Sequence, residues 1–235
     1  MAGSESRRAI VTGAANGIGR ATAWAFHAAG IRVVGLDIAN VTEAPFPMLR
    51  VDVADNASVA AGMFSAAEIL GGLDIVVTCA GIEITARLDD LDMTLFDRMY
   101  AVNVRGTAQV VQAALPHLGN GGRIITLASE LAYLGRSGSS AYCATKGAVL
   151  SMTRAWAREL APRILVNAVA PGPIDTPLLN FQSMSPAQQA LELENPLRRI
   201  GRPEEVASMI LFLVGEGATF TTGQCFAVDG GAAMR

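Results

Sequence analysis

The 235-residue chain is predicted to fold as an α/β protein, a parallel sheet with helices on both faces, and three observations carry that prediction. Short β-rich runs alternate with helix-compatible stretches along the chain. The first of them, Arg8-Ala9-Ile10-Val11-Thr12, empties into a glycine turn that opens a helix. Hydrophobic residues make up 51% of the chain and charged ones 17%, enough apolar material to bury a sheet on two sides and too much for a disordered chain. Composition also excludes classes of function. A net charge of -3 with no Lys/Arg cluster offers nothing to a phosphate polymer, so no nucleic-acid partner is expected. No apolar run nears the ~20 residues that span a bilayer, and Met1 to Arg8 is polar with no signal-type segment behind it, so a soluble, cytoplasmic protein away from membranes is expected. Three cysteines without a CxxC pair (Cys79, Cys143, Cys225) and two scattered histidines (His27, His117) predict no metal site.

Taken in order, Gly13-Ala14-Ala15-Asn16-Gly17-Ile18-Gly19 leads into a helix, an arrangement that suits a pyrophosphate on the helix N-terminus. Gly30 ends this helix. Ile31 to Leu36 reads as a second strand finishing at Asp37, whose carboxylate would accept hydrogen bonds from ribose hydroxyls and repel a 2′-phosphate. That favours NAD, while Arg20 and Arg32 keep NADP open and a turn or cap role is the plainer alternative for Asp37. Pro45 and Pro47 leave no room for a helix before the third strand, Met48 to Val51, with Asp52-Val53 at its end. Asp55 caps a helix running to Leu70, and Gly71-Gly72 stops it. Leu73 to Thr78 is the fourth strand, followed by the small turn Cys79-Ala80-Gly81. One helix then carries Phe96, Met99, Tyr100, Asn103 and Ala108 towards Leu115. Arg123 to Ala128 is the fifth strand and delivers Ser129 to its carboxyl end. Ile164 to Val169 is the sixth, with Pro171-Gly172-Pro173 at its exit and Ile174 and Thr176 beyond. A stretch of weak periodicity over about residues 177–200 reads as a lid. Pro203 and Glu204-Glu205 start the last long helix, and Gln224 to Val228 is a seventh strand. No linker or repeat interrupts residues 1–235, which read as one domain.

The chemistry centres on Ser139 to Ala148. On a helix, Tyr142 and Lys146 stand at i and i+4, about 6 Å apart at Cβ. A neighbouring ammonium lowers the pKa of a phenol, which then exchanges a proton with an alcohol or carbonyl oxygen. Chance spacing is the plain alternative for this pair, and for Asn103 the plain alternative is an ordinary hydrogen-bonding asparagine.

In their order along the chain, Thr12 to Gly19, Asp52-Val53, Ala80-Gly81, Asn103, Ser129, Tyr142 with Lys146, and Pro171-Gly172 resemble the short-chain dehydrogenase/reductase family over nearly the whole length. The resemblance implies a doubly wound Rossmann-type sheet of seven strands in the order 3-2-1-4-5-6-7, a nicotinamide cofactor, and a homotetramer or homodimer. It implies Tyr142 as acid/base, Lys146 on the nicotinamide ribose, Ser129 polarising the substrate oxygen, and Asn103 anchoring a water that links Lys146 to solvent. Cofactor contacts would come from Gly13, Asn16, Gly17, Ile18, Gly19, Asp37, Asp52, Val53, Ala80, Gly81, Tyr142, Lys146, Pro171, Gly172, Ile174 and Thr176. Two features depart from the family: Thr78-Cys79 stands where Asn-Asn is common, and the stretch between Asp37 and Asp52 is short.

The expected activity is hydride transfer between NAD and a secondary alcohol or ketone, a cyclic diol or polyol among them. The alternatives are an NADPH-dependent 3-oxoacyl carrier-protein reductase and a non-catalytic NAD(H)-binding scaffold. Expected pocket walls are Ile82, Glu83, Glu130, Leu131, Arg136, Pro173, Leu178, Leu179 and Met184, with the three charged residues suited to a hydroxylated or charged substrate.

Overall fold

The computed structural model describes residues 6–234, so the first part of the polar start, residues 1–5, lies outside the described residues. Seven parallel strands form one sheet in the order β3-β2-β1-β4-β5-β6-β7. They are β1 (Arg8–Thr12), β2 (Arg32–Asp37), β3 (Met48–Arg50), β4 (Leu73–Thr78), β5 (Leu118–Leu127), β6 (Ile164–Pro171) and β7 (Cys225–Val228). Because side chains alternate along a strand, each central strand feeds two cores. Ile10, Val34, Val76, Ile124 and Val166 face one cluster, closed by Met63 of α2 (Asn56–Leu70), Val110 of α4 (Thr107–Ala114) and Ala157 of α6 (Ser140–Leu160). Val11, Val33, Val77 and Ile125 face the other, closed by Phe26 of α1 (Gly17–Ala28) and by Val206, Ile210 and Leu213 of α8 (Pro203–Val214). The fold is therefore the doubly wound, Rossmann-type sheet that the sequence predicts.

Local signals act where expected. The Asp55 carboxylate accepts from the N–H groups of Ala57 and Ser58 at 2.9 and 3.4 Å and so caps α2, and Gly71 closes that helix in the left-handed region at φ 74°. Between β2 and β3 no helix forms. Among the described residues no helix is long and apolar enough to cross a membrane.

Four elements differ from the sequence reading. The predicted single helix to Leu115 is broken: α3 (Met93–Met99) passes into a wider i→i+5 turn over Tyr100–Gly106 before α4 resumes. Strand β5 starts at Leu118 rather than Arg123, because a register shift between Leu73 and Ile75 lets Leu118 pair with Leu73 ahead of the glycines. A short helix, α5 (Leu131–Leu134), fills the loop between Ser129 and α6, and the stretch read as a lid contains α7 (Pro186–Glu192), started by a reciprocal Ser185–Gln188 capping box.

Candidate active site

Most of the candidate residues line two adjoining cavities at the carboxyl ends of the strands, where ligands of open parallel sheets bind. The glycine turn is built by close approach. A Cβ on Gly13, itself at φ +65°, would sit 2.9 Å from the Ala80 nitrogen, and one on Gly19 would sit 2.1 Å from the Gly13 carbonyl oxygen. Thr12 ties the first and fourth strand ends together by accepting from the Ala80 N–H at 3.1 Å. No side chain caps α1, so its first N–H groups stay open to an anion. They face a cleft enclosing about 1250 Å³, whose walls include Gly13, Asn16, Gly17, Ile18, Gly19, Asp37, Asp52, Val53, Ala80 and Gly81. Asp37 accepts from the N–H groups of Ala15 and Ala39, both at 2.9 Å, with one bond to each oxygen. The turn role weighed for it in the sequence is therefore real, and it leaves lone pairs for further donors because a carboxylate has about four acceptor sites. The open helix end, the glycine-rich turn and the carboxylate at the second strand end fit a dinucleotide.

A second cavity of about 760 Å³ adjoins the first and shares Ile18, Cys79, Gly81, Thr176 and Leu178 with it. Ser129, Tyr142 and Lys146 line it together with Glu83, Glu130, Leu131, Arg136, Pro171, Gly172, Pro173, Ile174 and Leu179. The Ser129 hydroxyl accepts from the Leu131 N–H at 3.2 Å and lies near enough to the Tyr142 phenol to favour its ionised form. Lys146, almost wholly buried, donates to the Leu127 carbonyl at 2.8 Å, with its ammonium 5.6 Å from the Tyr142 ring centre. Asn103 lies behind this group, in the wide turn of its helix. Its Oδ1 accepts from the Ile82 N–H at 2.9 Å, and its Nδ2 donates to the Ile82 carbonyl at 2.8 Å and to the Thr145 hydroxyl at 3.1 Å.

Electrostatics amend one expectation. The Tyr142 phenol is held above its ordinary pKa, chiefly by burial and then by the charge of Glu83, against the opposing influence of the Ser129 hydroxyl. The predicted lowering by Lys146 is not among the causes that set this phenol. Burial also brings Lys146 down to about 8, so it is mostly charged at pH 7 and loses that charge as pH rises through about 8. Burial, with the charges of Asp229 and Glu192 and against that of Arg136, pushes Glu130 up to about 7.

Of the predicted pocket residues, Met184 is absent from the cavity walls and sits half-buried just ahead of α7. Ile82 lines the dinucleotide cleft instead of the second cavity. Sequence reasoning missed Glu192, which closes that cavity from α7 and forms a bidentate pair with Arg136 at 2.5 and 3.1 Å. No spacing signal marks it, because the pairing joins residues 56 apart. It also missed Thr145 as the partner of Asn103. At the departure from the family pattern, the Thr78 hydroxyl is buried without a hydrogen-bond partner, and burial raises the Cys79 thiol to about 12.

A doubly wound seven-stranded sheet with a glycine turn at its first crossover defines a Rossmann-type nucleotide-binding protein, and comparisons with known proteins carry this further. The family model described as enoyl-(acyl carrier protein) reductase matches residues 13–233. A 3-oxoacyl-acyl-carrier-protein reductase of Thermotoga maritima is 36% identical, with 97% of this chain and 98% of that protein covered. The cis-4-hydroxycyclohexanecarboxylate dehydrogenase of Sinomonas cyclohexanicum is 40% identical, with 96% of each covered. Among solved structures, the aldohexose dehydrogenase of Thermoplasma acidophilum superposes with a TM-score of 0.91 at 34% identity, over 98% of this chain and 95% of that one. The chain belongs to the short-chain dehydrogenase/reductase family and is an NAD(P)-dependent oxidoreductase of alcohols and ketones.

Proposed function

We propose that the protein transfers hydride between NAD and a secondary alcohol or ketone, within the class of cyclic diols and polyols, with Tyr142 as the acid/base. The carrying observation is the shared wall between the dinucleotide cleft and the cavity onto which Ser129 and Tyr142 open. A nicotinamide dinucleotide, when bound, supplies the hydride chemistry. Gly13, Asn16, Gly17, Ile18 and Gly19 would hold its pyrophosphate, Asp37 its adenosine ribose, Asp52 and Val53 its adenine, and Lys146 the second ribose. Ala80 and Gly81 pass beside it, and Pro171, Gly172, Ile174 and Thr176 would bound the nicotinamide. Ser129 orients the substrate oxygen, Tyr142 takes its proton in oxidation or returns one in reduction, and Asn103 fixes the backbone at Ile82 and anchors the water path from Lys146.

Asp37 supports NAD because a 2′-phosphate would meet its carboxylate. The reductase relative makes NADPH-dependent reduction of a 3-oxoacyl carrier-protein the second reading. Asp37 weighs against it on the same ground, since the 2′-phosphate of NADPH would meet that carboxylate. As a further part of the proposal, the chain works as a homodimer or homotetramer in the cytoplasm.

The test is steady-state turnover of an alcohol panel with each cofactor. The Tyr142→Phe variant should lose at least ~10³-fold in kcat while NADH binding is kept, consistent with loss of an acid/base group. Wild-type activity in that variant, or a strong preference for NADPH, would refute the respective claim. Because the phenol is held protonated at neutrality, oxidation, which needs the phenolate, should accelerate as pH rises from 7 to 10, while ketone reduction should stay level or fall.

A further inference from the structure

The wall of the second cavity holds several carboxylates, and their partners set them apart. Glu192 is engaged by Arg136 in the bidentate pair. Glu83 accepts from the Ser139 hydroxyl at 2.9 Å. Asp229, behind the wall, accepts from the N–H groups of Gly231 and Ala233, both at 2.9 Å. Glu130 differs: it is only 4% exposed, yet its Oε2 has no hydrogen-bond partner. Its backbone is locked by a bond from its N–H to the Pro171 carbonyl at 3.0 Å. Room for the carboxyl comes from Gly172, where a Cβ would stand 2.8 Å from that same oxygen. Leaving a buried polar group unpaired is costly, and Glu130 lines the second cavity, so a ligand in that cavity is the missing partner of this carboxyl.

We propose that the Glu130 carboxyl binds a second hydroxyl of the substrate, on a carbon next to the one that reacts, so that vicinal diols and cyclic polyols are preferred over simple alcohols. This rests on the oxidoreductase reading above. The position follows from chain order, since Ser129 addresses the reacting oxygen and Glu130 is the next residue on the same wall. The chemistry follows from charge. An anionic substituent would face Glu83, Glu130 and Glu192, with Arg136 already committed to Glu192. A cation would need Glu130 ionised, whereas burial and the charges of Asp229 and Glu192 leave it partly protonated near neutrality. A protonated carboxyl donates one hydrogen bond and accepts others, which matches a hydroxyl.

The test compares matched pairs with NAD: cis-cyclohexane-1,2-diol against cyclohexanol, and butane-2,3-diol against butan-2-ol. Wild-type enzyme should favour each diol by ~10–100-fold in kcat/KM, mostly through KM, the range expected for one buried hydrogen bond. Glu130→Ala should bring the ratio to within about threefold of unity, and Glu130→Gln, which keeps a donor and an acceptor, should retain part of it. Titration of NADH fluorescence checks that each variant keeps its cleft, and if the alanine variant does not bind NADH, Glu130→Met takes its place in the same comparison. Equal efficiency on both members of each pair, an unchanged ratio after truncation, or preference for trans-2-aminocyclohexanol over the diol would each overturn the role of Glu130 and leave the oxidoreductase reading standing. A wild-type enzyme that binds NADH but oxidises neither member of any pair would overturn both.

Discussion

Thr78 and Glu130 each leave a buried oxygen without a partner, but their positions give the two orphans different meanings. Thr78 ends β4 inside the sheet, paired in register with Thr12 and Thr126, away from either cavity wall. Its hydroxyl is a cost with no ligand to relieve it. Thr78→Val, close to isosteric, should therefore stabilise the protein by about 1 kcal/mol, seen as a rise of ~2–4 °C in Tm by calorimetry at this chain length. Glu130 has a pH signature. Its native pKa of about 7 lies above the ordinary carboxyl value of 4.5, so the native state holds the proton that the unfolded chain releases, and stability falls as pH rises from ~4.5 through ~7. Glu130→Gln removes that slope. Urea unfolding at pH 4.5 and pH 8 should show the variant gaining on the wild type by on the order of 3 kcal/mol across that interval. Glu83, raised in the same sense by burial, remains in both proteins and cancels in the comparison.

At the scale of elements, the wide turn over Tyr100–Gly106 matters most. An ordinary helix would continue its regular 100° steps past Met99; the extra residue per turn resets the face on which Asn103 points. The amide thereby meets both backbone groups of Ile82 and the Thr145 hydroxyl, fastening the turn after β4 to α6. Asn103→Ala strands both backbone groups of Ile82, while the Thr145 hydroxyl keeps its bond to the Tyr142 carbonyl, and should cost ~2–4 kcal/mol in chemical denaturation. Hydrogen exchange at the Ile82 amide should accelerate in the same variant, which a change confined to proton relay would not produce. Part of this was readable beforehand: Asp55, Gly71 and Pro203 mark their helix ends because capping and breaking act through neighbours in the chain. The wide turn was not readable, since low-propensity residues such as Val102, Val104 and Gly106 do not specify an i→i+5 turn, and the contacts of Asn103 with Ile82 and Thr145 come from other elements. Strand β5 ran past its prediction for a similar reason, as Leu118 pairs with Leu73 across a bulge that no local pattern reveals.

At the scale of the molecule, the cleft draws walls from both halves of the sheet, from the glycine turn after β1 to Thr176 and Leu178 beyond β6. A ligand bound there and not to the unfolded chain raises stability by mass action, about 2.7 kcal/mol at a hundred times Kd. Thermal unfolding should accordingly show a larger rise in Tm with NADH than with equal NADPH, and Asp37→Ser should narrow the gap; equal shifts in the wild type would remove the argument from Asp37. The sequence by itself determined the two-faced sheet and the pairing of Tyr142 with Lys146, because alternating β-rich and helical runs, glycine turns and a one-turn helix spacing are written in adjacent residues, while the strand order and the place of Ser129 came through the family resemblance. Only the tertiary structure decided that burial holds Tyr142 protonated, that Lys146 turns to Leu127, that Glu192 closes the cavity on Arg136, and that Glu130 stands without a partner. Those are matters of solvent exclusion and of contacts between distant segments, and neither is fixed until the chain has packed.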